Sequence, residues 1–479
     1  MQSNTESRRA PTPAMCGLLA LTLCGGPLAA CKDDPGLDDG ADTETGHGHG
    51  DGDGDGDPGD GDGDPAAATY WQEVAPIYYD SCVSCHREGG IGPFELDNYA
   101  SAAAWAQASA IAVENRVMPP WLVTDDGTCN SWQHSRALSQ TEIDTIVAWV
   151  DAGAPEGEPR DDLEVPALPG LDGATAFVTP EFTPEPEGGF LSEFDEYRCF
   201  LIDPELDHDQ FITAYEVLPG NEALVHHVLA IPVDPTLDVG GGMTNLDVIE
   251  ALDAESPDRL GWSCFGAAGD GVEIDSLPVT WAPGQGVVEF PAESGTRVNA
   301  GDLLVVQVHY NMVDPELIGQ SDSTTVKIRL EDEVAHEGLF DVPDALLGSL
   351  FEGDPYMIPP GEEAHEFTWS FPADWYVGWN GSESLELWGF FPHMHAFGTK
   401  MRVRVLDEQG QELGCVGDVQ RWDFNWQLYY FMQQPIVLES GHQIEVTCTY
   451  DTTDVDEPIL PGWGTYNEMC LAGVYLVAP

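Results

Sequence analysis

Positive charge is scarce in this chain. Sixteen Lys plus Arg stand against 85 Asp plus Glu in 479 residues, a formal charge of −69, and only three of the cations are lysines, Lys32, Lys327 and Lys400. A surface of that sign repels phosphate backbones and anionic bilayers, which excludes a nucleic-acid partner. Also missing is any apolar stretch approaching the ~18 residues that cross a membrane. The run from Met15 to Leu23, behind Arg8 and Arg9, is too short for that and reads as the core of an export signal. A second CxxC is absent as well, which removes the usual partner of a four-thiolate zinc site.

Hydrophobic residues at 42%, with 14 Trp, supply ample core material, and the length suggests roughly three domains. Leu28-Ala29-Ala30-Cys31 resembles the bacterial lipobox, in which the cysteine is lipidated and becomes the first mature residue. Residues 1–31 are therefore expected to be a lipoprotein signal; the competing reading is an ordinary secretory signal cut near Ala30. Export places the cysteines in an oxidising compartment. Cys16 and Cys24 leave with the signal and Cys31 carries the anchor, so eight of 11 remain, two in a motif below and six available for disulfides.

Residues 32–66 are an Asp/Gly repeat with nothing to bury, a self-repelling linker; metal capture by its aspartates or by His47 and His49 is the alternative. From 67 to 159 apolar residues recur at three and four, and Ser139 with Glu142 marks a helix start that Gly153 ends. A Pro- and Glu-rich connector occupies 160–185. Beyond it the period becomes two, in short runs such as ALVHHVLAIPV and KMRVRVLD separated by Gly, Pro and Asp. The fold expectation is multidomain: a small all-α domain, then two all-β antiparallel, jelly-roll-like sandwiches over 186–335 and 336–479.

Cys82-Val83-Ser84-Cys85-His86 has the spacing for covalent haem c, two thiols for the vinyl groups and an adjacent axial imidazole. A redox dithiol or half a zinc site are the other readings of that spacing. The stretches CVSCHREGGIGPFELDNY, RVMPPW and IVAWVDAGAPEG resemble the ordered landmarks of small bacterial c-type cytochrome domains, and the resemblance implies Met118 as the sixth ligand. A thioether there raises the potential and suits electron transfer. The competing reading makes Met118 a core residue, with His134 or water on the iron.

The β region carries His226-His227, His309, the pair His393 and His395 two residues apart, and Met469. Five imidazoles and a thioether without a carboxylate disfavour Mg²⁺ and Ca²⁺ and favour copper. Adjacent residues on a flat strand face opposite ways, so His226 and His227 need local twisting or different ring nitrogens to share an ion.

In order and context this set resembles the copper type II, ascorbate-dependent monooxygenases, the peptidylglycine and dopamine β-hydroxylase family, across roughly residues 186–479. The resemblance implies one copper on His226, His227 and His309 that accepts and relays electrons. It implies a second, catalytic copper on His393, His395 and Met469 that uses O₂ to hydroxylate an sp³ carbon. It further implies disulfides Cys448–Cys470 and Cys199–Cys264, leaving Cys129 and Cys415 unassigned. Where peptide-amidating members carry Arg, Asn and Tyr to grip a carboxylate, this chain has Phe391, Leu471 and Gly473. The expected substrate is accordingly a small, neutral or aromatic molecule.

The functional expectation is a monooxygenase using two coppers and O₂, with electrons from an ascorbate-like reductant or from the fused haem c, where a redox partner would dock. Its expected location is the periplasm or cell surface, lipid-anchored to a bacterial membrane. The alternative is a non-catalytic copper- and haem-bearing surface lipoprotein.

Overall fold

The structure, a computed structural model, describes residues 68–166, 170–186, 194–351, 353 and 355–479. The expected signal, lipid anchor and Asp/Gly linker lie outside them. Among the described residues no helix is long and apolar enough to cross a membrane.

The helical segment follows from its caps and its apolar period. Ser139 accepts from the Glu142 N–H while the Glu142 carboxylate accepts from the Ser139 N–H, and the helix Gln140–Asp151 runs from that box. Gly153 just beyond it takes φ 84°, the left-handed stop that a side chain resists. Helices Ala75–Ser81, Tyr99–Ala104 and Ala106–Glu114 join it around a core that includes Tyr70, Tyr78, Ile146 and Trp149, all buried.

The remainder is predominantly sheet, with side chains alternating in and out along the strands as period-two patterning dictates. A five-stranded sheet holds Val225–Val233 (β1) and Leu303–Asn311 (β2) side by side. A four-stranded sheet contains His365–Pro372, Gln443–Tyr450, Gly398–Leu406 and Glu412–Val419. Facing both is a nine-stranded sheet, whose far end carries Leu385–His393 (β3), Tyr430–Leu438 (β4) and Leu471–Val477 (β5).

That large sheet departs from a picture of two separate sandwiches. Ser294 and Gly295 pair in parallel with His336 and Glu337, so the sheet passes without interruption from one lobe to the other. The apolar core follows it: Phe340, Phe391, Tyr429, Phe431 and Tyr475 pack in one cluster with Ile212, Val217, Phe290 and Val326. The β texture also hides a helix, Asn245–Asp253, opened by a Thr244–Asp247 capping box in the stretch TNLDVIEALD.

Three disulfides brace the molecule. Cys199–Cys264 and Cys448–Cys470 close within the lobes, and Cys129–Cys415 ties the loop between helices Ala106–Glu114 and Gln140–Asp151 to the second lobe across 286 residues.

Candidate metal centre

The difficulty with adjacent histidines is resolved by register. His309 on β2 pairs with His227 on β1, and Tyr310 then pairs with Val225, so His226 is the extra residue of a β-bulge. A bulge twists its strand and re-aims one side chain. The outcome is that ligand atoms of His226, His227 and His309 all lie within 4.8 Å of one another. Nδ1 of His309 stands 3.1 Å from Nδ1 of His227.

The remaining nitrogen of His309 is 3.1 Å from the buried Asp195 carboxylate, which also accepts from Asn311 Nδ2 and is approached by Thr465 Oγ1. A carboxylate behind an imidazole fixes the ring's orientation and its tautomer. Tyr197 stacks flat on His309 at 4.0 Å. Both ring nitrogens of His226 are buried with no hydrogen-bond partner among the described residues. Buried polar atoms left unpaired are costly, and a metal ion is the partner this donor set suits.

The second pair is built differently. β3 ends at His393, and His395 lies just past that end, with the two Nε2 atoms 3.2 Å apart. His393 Nδ1 is 2.6 Å from Gln427 Oε1 and His395 Nδ1 is 3.2 Å from Asn467 O. The backbone N–H groups of His395, Phe397 and Met469 all donate to the fully buried carboxylate of Glu468. This acid was not among the sequence candidates, although it sits beside Met469 in the chain. Burial pushes the Glu468 carboxyl up to about 8, against the pull of those N–H donors.

Five of the expected ligands share one small cleft, where Phe424 stacks on His226 at 4.6 Å and meets His395 edge-on at 5.9 Å. Met469 is buried, and its backbone is tied to the same carboxylate as His395, but its side chain is not part of the cleft lining. No Arg or Lys lines the cleft. Burial, reinforced by neighbouring imidazoles, holds His226 down to about 3 and His227 and His395 well below the ordinary value. Burial likewise lowers His393 to about 4, the Gln427 bond opposing it. Neutral imidazoles keep their lone pairs for a metal.

Phe391 pairs with Gly473 across β3 and β5, and a β-carbon at Gly473 would come 2.9 Å from that of Phe391. Leu471 pairs with His393 and packs on the same core cluster as Phe391.

Residues 346–477 match the family model "Copper type II ascorbate-dependent monooxygenase, C-terminal domain". Tyramine beta-hydroxylase of Caenorhabditis briggsae is 24% identical over 266 residues, 54% of this chain and 40% of that protein. Dopamine beta-hydroxylase of Canis lupus familiaris is 26% identical over 289 residues, 57% of this chain and 42% of that protein. DBH-like monooxygenase protein 2 of Mus musculus is 25% identical over 284 residues, 57% and 42%. The chain thus spans less than half the length of each of these relatives. Together the matches support an oxidoreductase of the monooxygenase class. Likeness to solved structures, such as infectious bursal disease virus VP2 at 10% identity over 64% of this chain and 72% of that one, reaches a TM-score of only 0.16 and carries no argument.

In the helical segment Cys82 and Cys85 are unpaired thiols on one turn, with the N–H groups of Cys85 and His86 both donating to Cys82 O. His86 Nδ1 is 3.1 Å from Phe94 O, which leaves Nε2 for another partner. Arg87 is 9% exposed, and its Nη2 has no partner among the described residues while Nη1 bonds Pro166 O. A buried guanidinium with Nη2 open, next in the chain to a pinned imidazole and close in sequence to two free thiols, fits a cofactor bearing carboxylates. Met118 follows helix Ala106–Glu114, its N–H donating to Ala112 O.

Proposed function

We propose that this chain is a copper-dependent monooxygenase that hydroxylates an sp³ carbon of a small, neutral or aromatic substrate with O₂. The observation that carries this reading is the bulge-built cluster of His226, His227 and His309 opening into the same cleft as His393 and His395, with neither ring nitrogen of His226 having a hydrogen-bond partner among the described residues. His226, His227 and His309 would hold one copper, and His393, His395 and Met469 the other. Bound copper supplies one-electron redox chemistry and, at the thioether-bearing site, reactivity toward O₂.

The chain's own residues prepare that chemistry. Asp195 and Gln427 fix ring orientation, Glu468 fixes the His395–Met469 backbone, and Tyr197 and Phe424 stack on His309 and His226 in the cleft between the clusters. A cleft without cations, near Phe391, Leu471 and Gly473, suits an uncharged substrate over a peptide carboxylate. Cys82, Cys85, His86 and Met118 would hold haem c, giving electrons a route besides an ascorbate-like reductant. The protein is read as exported and lipid-anchored through Cys31.

The test is purified protein assayed for copper and covalent haem, then screened for oxygen uptake with neutral aromatic substrates and for incorporation of labelled oxygen. Copper-dependent incorporation is the expected result. Metal binding without oxygen consumption would reduce the protein to a carrier, and a colourless, redox-silent metal would indicate zinc. A preference for glycine-extended peptides would reject the substrate class.

A further inference from the structure

The loop between helices Ala106–Glu114 and Gln140–Asp151 runs along the second lobe as a bonded strap. Arg421 Nη2 donates to Arg116 O at 2.5 Å, and Thr124 N to Asp418 O at 2.7 Å. Gln133 N donates to Phe431 O at 2.7 Å, and the disulfide Cys129–Cys415 fastens the middle. A strap this heavily tied holds its position rather than sampling others.

Met118 lies on this strap, three residues before Trp121. The Trp121 indole meets the Tyr430 ring edge-on at 4.9 Å between centroids, and Leu122 N–H donates to Tyr430 Oη at 3.1 Å. Trp132 closes on the same ring at 5.7 Å. Tyr430 is fully buried, and burial raises its phenol well above the ordinary value, so it stays a neutral ring. From Tyr430 two short routes lead to one imidazole. Back along the chain, Gln427 bonds His393 Nδ1 at 2.6 Å. Across the sheet, Tyr430 pairs with Phe390, three residues before His393 on β3.

We infer that Trp121 and Tyr430 are relay residues that couple the Met118 strap to the His393–His395 cluster, so that electrons from the haem site enter the second cluster directly, a route separate from the one through His226, His227 and His309 that the family resemblance implies for an ascorbate-like reductant. This rests on reading Cys82, Cys85, His86 and Met118 as a haem c site and His393 and His395 as copper ligands. Each event moves one electron: iron(II) becomes iron(III) as copper(II) becomes copper(I), with no atom transferred. An external one-electron donor of the ascorbate type re-reduces the iron.

The experiment uses the full chain loaded with haem and copper. A flash-generated reductant reduces the haem, and the decay of its ferrous absorption band, with loss of the copper(II) EPR signal, reports the transfer. Trp121→Ala is expected to slow that decay by roughly tenfold or more at unchanged haem spectrum and copper content. Trp121→Phe, which keeps a ring, should restore most of the rate. Should Trp121→Ala fail to fold, the histidine variants decide: decay should vanish in His393→Ala and persist in His309→Ala. Decay lost in His309→Ala but kept in His393→Ala would overturn the relay and leave both cofactor assignments standing, as would unaltered decay in folded Trp121→Ala. Wild-type protein without covalent haem or copper would overturn the assignments, and the relay with them.

Discussion

The two histidine clusters face one cleft but are held in opposite ways. His226, His227 and His309 sit within two hydrogen-bonded strands, their convergence created by a bulge, and a buried carboxylate stands behind one ring. His393 and His395 sit where a strand ends, held by an amide, a carbonyl and a loop carboxylate that grips backbone rather than rings. The first arrangement is fixed by the sheet ladder. The second depends on a few loop bonds, and so has the freedom a site that changes its coordination requires.

The largest break in this comparison is His309→Ala. It removes the ring joining β2 to the cluster and its bond to Asp195, so copper bound per chain should halve, with loss of about 1–3 kcal/mol of stability from that bond to a buried carboxylate. Metal analysis and denaturant unfolding check both. Next is the double change Cys448→Ala with Cys470→Ala. Opening a 22-residue separation should cost about 2–4 kcal/mol. It should weaken copper binding at the second cluster only, as EPR of singly loaded protein would reveal.

Glu468→Gln sharpens the contrast further. Above about pH 8, where Glu468 is ionised, an amide cannot accept from three backbone donors as a carboxylate does, so we expect about 1–3 kcal/mol of destabilisation there with the first cluster untouched. A pH effect accompanies it. Because burial raises the folded Glu468 carboxyl to about 8 from an ordinary value of 4.5, the folded chain holds a proton there that the unfolded chain releases. Stability of metal-free protein should therefore fall as pH rises between those values and then level, relative to Glu468→Gln, in thermal melts across pH. The smallest expected change is Gln427→Ala, which removes one bond to His393 at a cost of about 1 kcal/mol and leaves the first cluster's metal affinity unaltered.

Local signals were readable in the sequence where structure is local. The Ser139–Glu142 box and Gly153 delimit their helix as spacing indicates, since capping involves only neighbouring residues. Sheet and helix were separable by period. The bulge at His226 was not visible, because register is a property of two strands and β2 lies some 80 residues away in the chain. Cys129–Cys415 was equally hidden, as proximity across a 286-residue separation is a tertiary fact. Helix Asn245–Asp253 carries a legible Thr244–Asp247 box, but β texture on both sides masks its short apolar period. Glu468 was missed because an acid among soft ligands invites no metal role; its task is to grip peptide N–H groups.

The parallel pairing of Ser294 and Gly295 with His336 and Glu337 has a mechanical consequence. Lobes welded along a common pleated floor cannot part like the halves of a clam without tearing its ladder. Any breathing that admits a guest between the imidazoles falls instead to the roof, the irregular stretch around Phe424 and the turn bearing Trp463.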